Sequence, residues 1–154
     1  MKRMHVHVAV EDIPNAVGFY SALFATQHAV VKTDYAQWML DDPRVNFAIS
    51  TRGKQPGLDH LGIQVETVGE LSEVYARLRQ AGGTIIEQGQ TTCCYAKSEK
   101  SWIDDPAGIS WETFFTTGAS TDYGVSVEED PRAAHEKTAL PRLEAARACC
   151  NRLS

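Results

Sequence analysis

Three side chains able to bind a metal ion occupy defined places in this chain of 154 residues. His5 and His60 stand at the same position of two similar segments, and Glu112 follows Asp105 by seven residues near the end of the second one. Two imidazoles and one carboxylate leave open positions on a metal, which suits non-haem Fe(II), while Zn, Mn or Ni also fit these ligands. We interpret His5, His60 and Glu112 as candidate metal ligands and catalytic residues.

His7 is the alternative to His5 in this interpretation. A single histidine is more often an ordinary strand residue than a ligand, so the interpretation depends on the equivalence of His5 and His60. Side chains two residues apart on a strand point to the same face, so His7 could replace His5 or orient a ligand. The repeat pairs His60 with His5 and places Gly62 opposite His7, which favours His5.

Two adjacent cysteines, Cys93 and Cys94, form a second candidate site. Thiolates are soft ligands, so a thiol pair selects soft ions, and the nearby Lys97 and Lys100 could favour the thiolate form. Neighbouring side chains on a regular strand point to opposite faces, so we expect the pair in a loop or at an irregular strand end. Packing is the alternative, because cysteine often acts as a small hydrophobic residue.

A repeat in the sequence predicts how these residues are positioned. Residues 5–23 (HVHVAVEDIPNAVGFYSAL) align without a gap with residues 60–78 (HLGIQVETVGELSEVYARL). Each segment begins with the alternation typical of a strand and continues with helical spacing. Residues 36–50 and 100–114 are also similar, and each contains Asp-Asp-Pro, which predicts a turn between strands. We therefore predict an α+β fold of two tandem βαβββ modules, whose curved mixed sheet surrounds a central metal site.

The same repeat predicts the domain organisation. The first module is expected to cover residues 1–52, and a linker with the second module residues 53–116. Residues 117–154 differ in composition, and we expect a short C-terminal extension that is partly helical or mobile. This tail contains Cys149 and Cys150, which could collect soft ions or be incidental.

Composition and charge argue against several classes of protein. The net charge is −5 and the basic residues are scattered, which argues against nucleic-acid binding. The chain has no apolar run of about 18 residues and no apolar leader after Met1, so we expect no membrane span and no signal peptide. We predict a cytoplasmic protein with reduced cysteines. Both a monomer and a homodimer are compatible with two modules in one chain.

Three stretches of the chain resemble the vicinal oxygen chelate superfamily, which includes glyoxalases and extradiol dioxygenases: HVHVAVEDIPNAVGFYSALF, LDHLGIQVET and DDPAGISWETF. Three stretches, two of which overlap these, further resemble the cadmium-inducible proteins that include arsenic-resistance C–As lyases: YAQWMLDDPRVNFAIS, GLDHLGIQV and TTCCYAKSEKSWIDDPAGISWETF. This resemblance implies an Fe(II)-dependent dioxygenase that uses O2 to cleave trivalent organoarsenicals such as methylarsenite into arsenite and an aldehyde. It also implies that His5, His60 and Glu112 bind the metal, and that Cys93 and Cys94 hold the arsenic.

Two other functions are compatible with the sequence. One is a cadmium- or arsenite-binding protein that sequesters the ion without turnover, and the other is a different metalloenzyme of the glyoxalase or dioxygenase type. The set of two histidines and a glutamate favours an enzyme over sequestration, and the cysteine pair argues against an ordinary glyoxalase. Trp102, which matches Trp38 of the first module, is expected either to line the substrate pocket or to lie in the core.

Overall fold

The structure is a computed structural model that describes residues 1–52, 55–82, 85–93 and 95–119. Within these residues the chain forms two successive βαβββ units. The elements are β1 (Arg3–Ala9), α1 (Ile13–Leu23), β2 (Val30–Val31), β3 (Tyr35–Asp41), β4 (Arg44–Ser50), β5 (Gly57–Val65), α2 (Val68–Gln80), β6 (Ile86–Cys93), β7 (Ala96–Asp104) and β8 (Ser110–Ala119).

All eight of these strands belong to one sheet, in the order β2-β3-β4-β1-β5-β8-β7-β6. The first strands of the two units, β1 and β5, are antiparallel neighbours at its centre. The pairs β1–β4 and β5–β8 are parallel, and the remaining neighbours are antiparallel. The sheet is therefore mixed, and the predicted α+β fold of two βαβββ units is confirmed.

A capping side chain marks the start of each helix. The carboxylate of Asp12 accepts a hydrogen bond from the Asn15 amide at 2.6 Å, which satisfies one of the free amides at the start of α1. The hydroxyl of Thr67 does the same for the Glu70 amide at 3.1 Å at the start of α2. After α2, Gly82 adopts a positive φ of 78°, a conformation that costs glycine little.

Both helices pack on one face of the sheet. Val6 and Val8 of β1 pack beneath α1, and Ile63 and Val65 of β5 pack beneath α2. Because side chains alternate along a strand, the residues between these positions point to the opposite face, which leaves that face for the polar residues of the candidate site.

The division into domains stays a prediction. β4 ends at Ser50, β5 begins at Gly57, and β8 continues to Ala119, three residues beyond the expected end of the second module at residue 116. The greater part of the predicted C-terminal extension, with Cys149 and Cys150, lies outside the described residues. Neither described helix is long and apolar enough to cross a membrane.

Candidate metal and substrate site

His5, His60 and Glu112 converge at the centre of the sheet. The Nε2 atoms of His5 and His60 lie 3.2 Å apart, and Oε2 of Glu112 lies 3.7 Å from His5 Nε2 and 3.5 Å from His60 Nε2. All three side chains are buried. Ligands bonded to one ion at about 2.1 Å are roughly 3–3.4 Å from their neighbours, so the three atoms fit a single metal ion after small shifts. The structure brings the three predicted ligands together, and their metal-binding role stays a prediction.

A glycine makes room for this arrangement. Gly62 of β5 lies in register between His5 on one side and Glu112 on the other. A Cβ added at Gly62 would lie 2.5 Å from the Glu112 carbonyl oxygen and 3.3 Å from the Glu112 Cβ. The missing side chain therefore lets the backbones of β5 and β8 approach closely, which keeps Glu112 near the histidines of β1 and β5.

The strand register places the histidines differently from the sequence repeat. The repeat aligns His60 with His5, but the antiparallel register of β1 and β5 pairs His60 with His7. His60 reaches His5 diagonally. The register also shifts after this pair, so that Val8 lies opposite Leu58 and Asp59 is an extra residue of β5. Such a bulge re-aims a side chain, and Oδ1 of Asp59 lies 3.0 Å from His60 Nδ1.

Fixed hydrogen bonds orient both imidazoles. His5 Nδ1 lies 3.0 Å from the Asn46 carbonyl oxygen, which can only accept, so this nitrogen donates and Nε2 keeps a lone pair. Asp59 holds His60 in the same way. Burial, followed by the neighbouring His60, lowers the pKa of His5 to about 4, so His5 is neutral at pH 7. Burial also opposes the charged form of His60, but hydrogen bonds to Asp59 and Glu112 outweigh it and raise the His60 pKa.

Lys100 forms a buried ion pair with Glu112. Its Nζ donates to Oε1 at 2.6 Å, and both side chains are less than a tenth exposed. Burial alone would raise the pKa of Glu112, but the ammonium of Lys100 and the two imidazoles hold it well below its ordinary value. Glu112 is therefore a carboxylate whose second oxygen, Oε2, is turned to the histidines. The sequence suggested that Lys100 acts on the cysteine pair, whereas its ammonium lies on Glu112.

Trp102 and His7 complete the buried polar face. The Trp102 ring packs edge-on against His60 with centroids 5.0 Å apart, and its Nε1 donates to Gln88 Oε1 at 3.1 Å. Trp102 packs against His60 and is not among the residues that line the cavity described below, so its expected contact with substrate stays a prediction. His7 Nε2 lies 2.9 Å from Ser50 Oγ.

A cavity of about 310 Å³ opens beside the proposed ligands. Its wall combines residues of both units, including His5, Tyr35, Tyr95, Lys100, Glu112 and Phe114. This volume accommodates a small molecule. The cavity gives a substrate direct access to two of the three proposed metal ligands.

The first cysteine of the predicted thiol pair lies at the end of β6, in the β6–β7 hairpin. Cys93 is the last residue of β6 and pairs with Ala96 of β7, so it stands at a strand end as expected. Cys94 lies outside the described residues, so the expected contact of both sulfurs with one ion stays a prediction. Tyr95, which follows Cys94 and lines the cavity, has a φ of 61°.

An ionic contact holds this hairpin tip against the first unit. The Tyr95 hydroxyl donates to Asp34 Oδ1 at 2.6 Å, and Arg52 Nε donates to Asp34 Oδ2 at 2.6 Å. Burial opposes ionisation of Asp34, but Tyr95 and Arg52 outweigh it and lower the Asp34 pKa. Tyr95 thereby connects the tip of the β6–β7 hairpin to Asp34 of the first unit.

Sequence reasoning did not identify Asp59, Gly62 or Tyr95 as parts of the site, and it gave Lys100 a different partner. The position of Lys100 could have been predicted, because it lies two residues before Trp102 and therefore points to the same face of the strand. The contact of Asp59 with His60 could not have been predicted, because neighbouring side chains on a regular strand point to opposite faces unless a bulge intervenes. Gly62 was seen only as the residue opposite His7 in the repeat.

Comparison with known proteins agrees with the fold. The family model described as the Glyoxalase/Bleomycin resistance protein/Dioxygenase superfamily matches residues 2–113. A Mn(II)-bound glyoxalase from Novosphingobium aromaticivorans has a TM-score of 0.55 at 15% identity, covering 84% of this chain and 44% of that chain. At this identity the likeness concerns the fold alone.

Bacterial relatives are more similar in sequence. A probable trivalent organoarsenical cleaving enzyme of Bacillus subtilis (strain 168) is 38% identical over 122 residues, covering 78% of this chain and 84% of the relative. The trivalent organoarsenical cleaving enzyme of Bacillus sp. (strain MD1) is 37% identical over 157 residues, covering 97% and 91%. The cadmium-induced protein CadI of Mycobacterium bovis is 32% identical over 125 residues, covering 80% and 82%. The chain therefore belongs to the glyoxalase/bleomycin resistance protein/dioxygenase superfamily, in one family with these organoarsenical cleaving and cadmium-induced relatives.

Proposed function

We propose that this protein is an Fe(II)-dependent dioxygenase that cleaves the C–As bond of trivalent organoarsenicals and releases arsenite in the cytoplasm. One observation carries the proposal: the buried cluster of His5, His60 and Glu112 borders a cavity whose wall includes Tyr95, which directly follows the cysteine pair. The names of the relatives that are 37–38% identical support the same activity.

The donor set fits a divalent iron ion. Two imidazole nitrogens and one carboxylate oxygen face one point, and Gly62 allows the close approach of β5 and β8 that places Glu112 there. These ligands suit non-haem Fe(II), although Zn, Mn and Ni accept them too. When bound, the iron supplies a centre that activates O2 for oxidation of the carbon attached to arsenic.

The protein side chains divide the remaining tasks. The thiolates of Cys93 and Cys94 bind trivalent arsenic, because soft sulfur ligands select it over oxygen-preferring anions. Lys100 keeps Glu112 ionised by holding Oε1, so that Oε2 is available to the metal. Asp59 and the Asn46 carbonyl fix the ring orientation of the two histidines.

The overall reaction balances with O2 as the single co-reactant. Methylarsenous acid, CH3As(OH)2, and O2 yield arsenous acid, As(OH)3, and formaldehyde, HCHO. One oxygen atom of O2 is gained by each product, the C–As bond breaks, and carbon is oxidised while O2 is reduced. No separate reductant is needed.

The direct test loads the protein with Fe(II) under anaerobic conditions, adds methylarsenite and O2, and measures arsenite and formaldehyde. We expect release of both products in equal amounts. Cys94→Ser should abolish turnover while Fe(II) stays bound, and His60→Ala should lose Fe(II) while arsenical binding persists. The paired substitution Cys149→Ser with Cys150→Ser is the matched control and should retain turnover.

Sequestration without turnover is the second candidate, because one relative is named for induction by cadmium. It predicts tight binding of methylarsenite with no release of arsenite under the same conditions.

The role of the cysteine pair has its own contradicting outcome. Full activity of Cys94→Ser would show that the cysteine pair does not hold the substrate.

A further inference from the structure

His7 is a buried histidine beside the proposed metal ligands that the proposed function does not use. It is 2% exposed, lies in register with His60, and its ring centroid is 4.8 Å from that of His60. A ligand nitrogen from each of His5, His7 and His60 lies within 4.8 Å of the other two. Three imidazoles, and not two, therefore surround the centre.

The hydrogen bonds of the three rings follow one pattern. In each ring one nitrogen has a fixed oxygen partner: the Asn46 carbonyl for His5, the Asp59 carboxylate for His60, and the Ser50 hydroxyl for His7. The second nitrogens of His5 and His60 face each other and Glu112.

The second nitrogen of His7 is the exception. Its Nδ1 is buried and has no hydrogen-bond partner among the described residues. A buried polar atom without a partner costs about 1–3 kcal/mol, so native structures rarely leave one unpaired. When His7 Nε2 carries the hydrogen and donates it to Ser50, Nδ1 presents an unused lone pair, which is the form of imidazole that binds metals.

We propose that His7 is a fourth protein ligand of the metal and binds it through Nδ1, next to His5, His60 and Glu112. One ring nitrogen of each of the three histidines lies within 4.8 Å of the others, whereas neighbouring ligands of one ion are roughly 3 Å apart, so binding through His7 Nδ1 requires the His7 ring to move toward the ion. A six-coordinate ion then keeps two open positions and not three. The inference rests on the metal centre of the proposed function, but not on its arsenical substrate.

Proton NMR of the Co(II)-loaded protein, without arsenical, counts the imidazole ligands. Each ligating ring keeps one N–H on its other nitrogen, and Co(II) shifts that exchangeable proton far outside the ordinary range. We expect three such signals in the wild-type protein and two in His7→Gln. His28→Gln, which changes a histidine packed against Trp38 and away from the centre, is the matched control and should show three.

Metal affinity gives a second readout. Removing a group that only orients a ligand typically weakens metal binding roughly 10–100-fold, so losing a ligand should cost at least about tenfold. Competition with a chelator should show this loss in His7→Gln and no loss in His28→Gln. The wild-type signal count does not depend on whether His7→Gln folds.

Two results would overturn the inference, and they differ in what else they affect. Two shifted exchangeable signals in the wild-type protein with Co(II) bound would exclude His7 and leave the three proposed ligands intact. No Co(II) binding at all would overturn the proposed metal centre together with the fourth ligand. If the Co(II)-loaded wild-type protein shows only two shifted signals but the Fe(II)-loaded protein releases arsenite, the fourth ligand is excluded and the proposed function is retained.

Discussion

At the scale of single residues, the central feature is a carboxylate that remains charged although it is buried. Glu112 has one oxygen on Lys100 at 2.6 Å and the other facing two imidazoles. Charges in such a place are stable only when paired. The ion pair with Lys100 therefore prepares a ligand whose own burial would otherwise favour the protonated form.

Lys100→Met should destabilise the metal-free protein by about 3 kcal/mol at pH 7, because it removes the ammonium partner of the buried Glu112 carboxylate. In the wild-type protein the pKa of Glu112 is depressed, so its stabilising contribution is present above the ordinary value of 4.5 and is lost as the pH falls through the folded-state pKa. The difference between wild type and variant should therefore shrink at acid pH.

Urea unfolding at pH 7 and at about pH 3 measures this difference. Lys97→Met is the matched control, since Lys97 is exposed on the same strand, and should change stability by less than about 0.5 kcal/mol. A gap between wild type and Lys100→Met that widens at acid pH would contradict the assigned ion pair.

Gly62→Ala should weaken both the fold and metal binding. The new Cβ would meet the Glu112 backbone at 2.5 Å, so β5 and β8 must separate, at a cost of about 1–3 kcal/mol. Co(II) affinity should fall as Glu112 is displaced. Gly18→Ala is the control, because nothing lies within 4 Å of the added methyl and alanine favours the helix by about 0.5–1 kcal/mol. Equal metal affinity in both variants would exclude a role for Gly62 in positioning Glu112.

At the scale of elements, the β6–β7 hairpin ends at Cys93 and places Tyr95 in the wall of the cavity. Neighbouring side chains of a regular strand cannot both reach one ion, and a turn at the strand end changes their directions. Tyr95 has a positive φ immediately after Cys94, and its hydroxyl bonds to Asp34 of the first unit. The position of the tip therefore depends on a contact between the two units.

Tyr95→Phe should weaken methylarsenite binding about threefold to tenfold while leaving Co(II) affinity unchanged. It removes a hydrogen bond to a charged group near the surface, worth about 1 kcal/mol, that holds the tip at the cavity. Calorimetric titration of the metal-free protein with methylarsenite measures the change. Tyr20→Phe, on α1 at the other face of the sheet, is the control and should bind as the wild type does. A loss of Co(II) affinity in Tyr95→Phe would indicate a general defect of the site.

At the scale of the whole molecule, the candidate centre is assembled from both units of one chain. His5 comes from the first unit, whereas His60 and Glu112 come from the second, and the pairing of β1 with β5 and of β5 with β8 brings them together. The described part of a single chain thus contains all three proposed ligands. A second copy is not required to complete the set.

Mixing two inactive variants, His5→Ala and Glu112→Ala, should therefore not restore arsenite release. In a site shared between chains, a mixed dimer would contain one intact set of ligands and regain part of the activity. Co-expression of the two variants, followed by Fe(II) loading and the arsenite assay, measures the outcome. Recovery of activity would show that ligands come from different chains.

The sequence repeat determined the units and the order of their elements, since strand alternation, helical spacing and Asp-Asp-Pro turns are local patterns. It also selected His5 and His60, because equivalent positions in the two units stand out against single histidines. Glu112 was selected by its place seven residues after Asp105, near the end of the second unit. These features could be predicted without knowing how the two units pack against each other.

The tertiary structure alone decided the partners inside the site. The register of β1 and β5 put His7 opposite His60, the bulge turned Asp59 toward His60, and Lys100 met Glu112 across two strands. Register and bulges are set by backbone hydrogen bonds between distant segments, and a shift of one residue exchanges the two faces of a strand. Local sequence determined which side chains were available, and long-range pairing determined which of them meet.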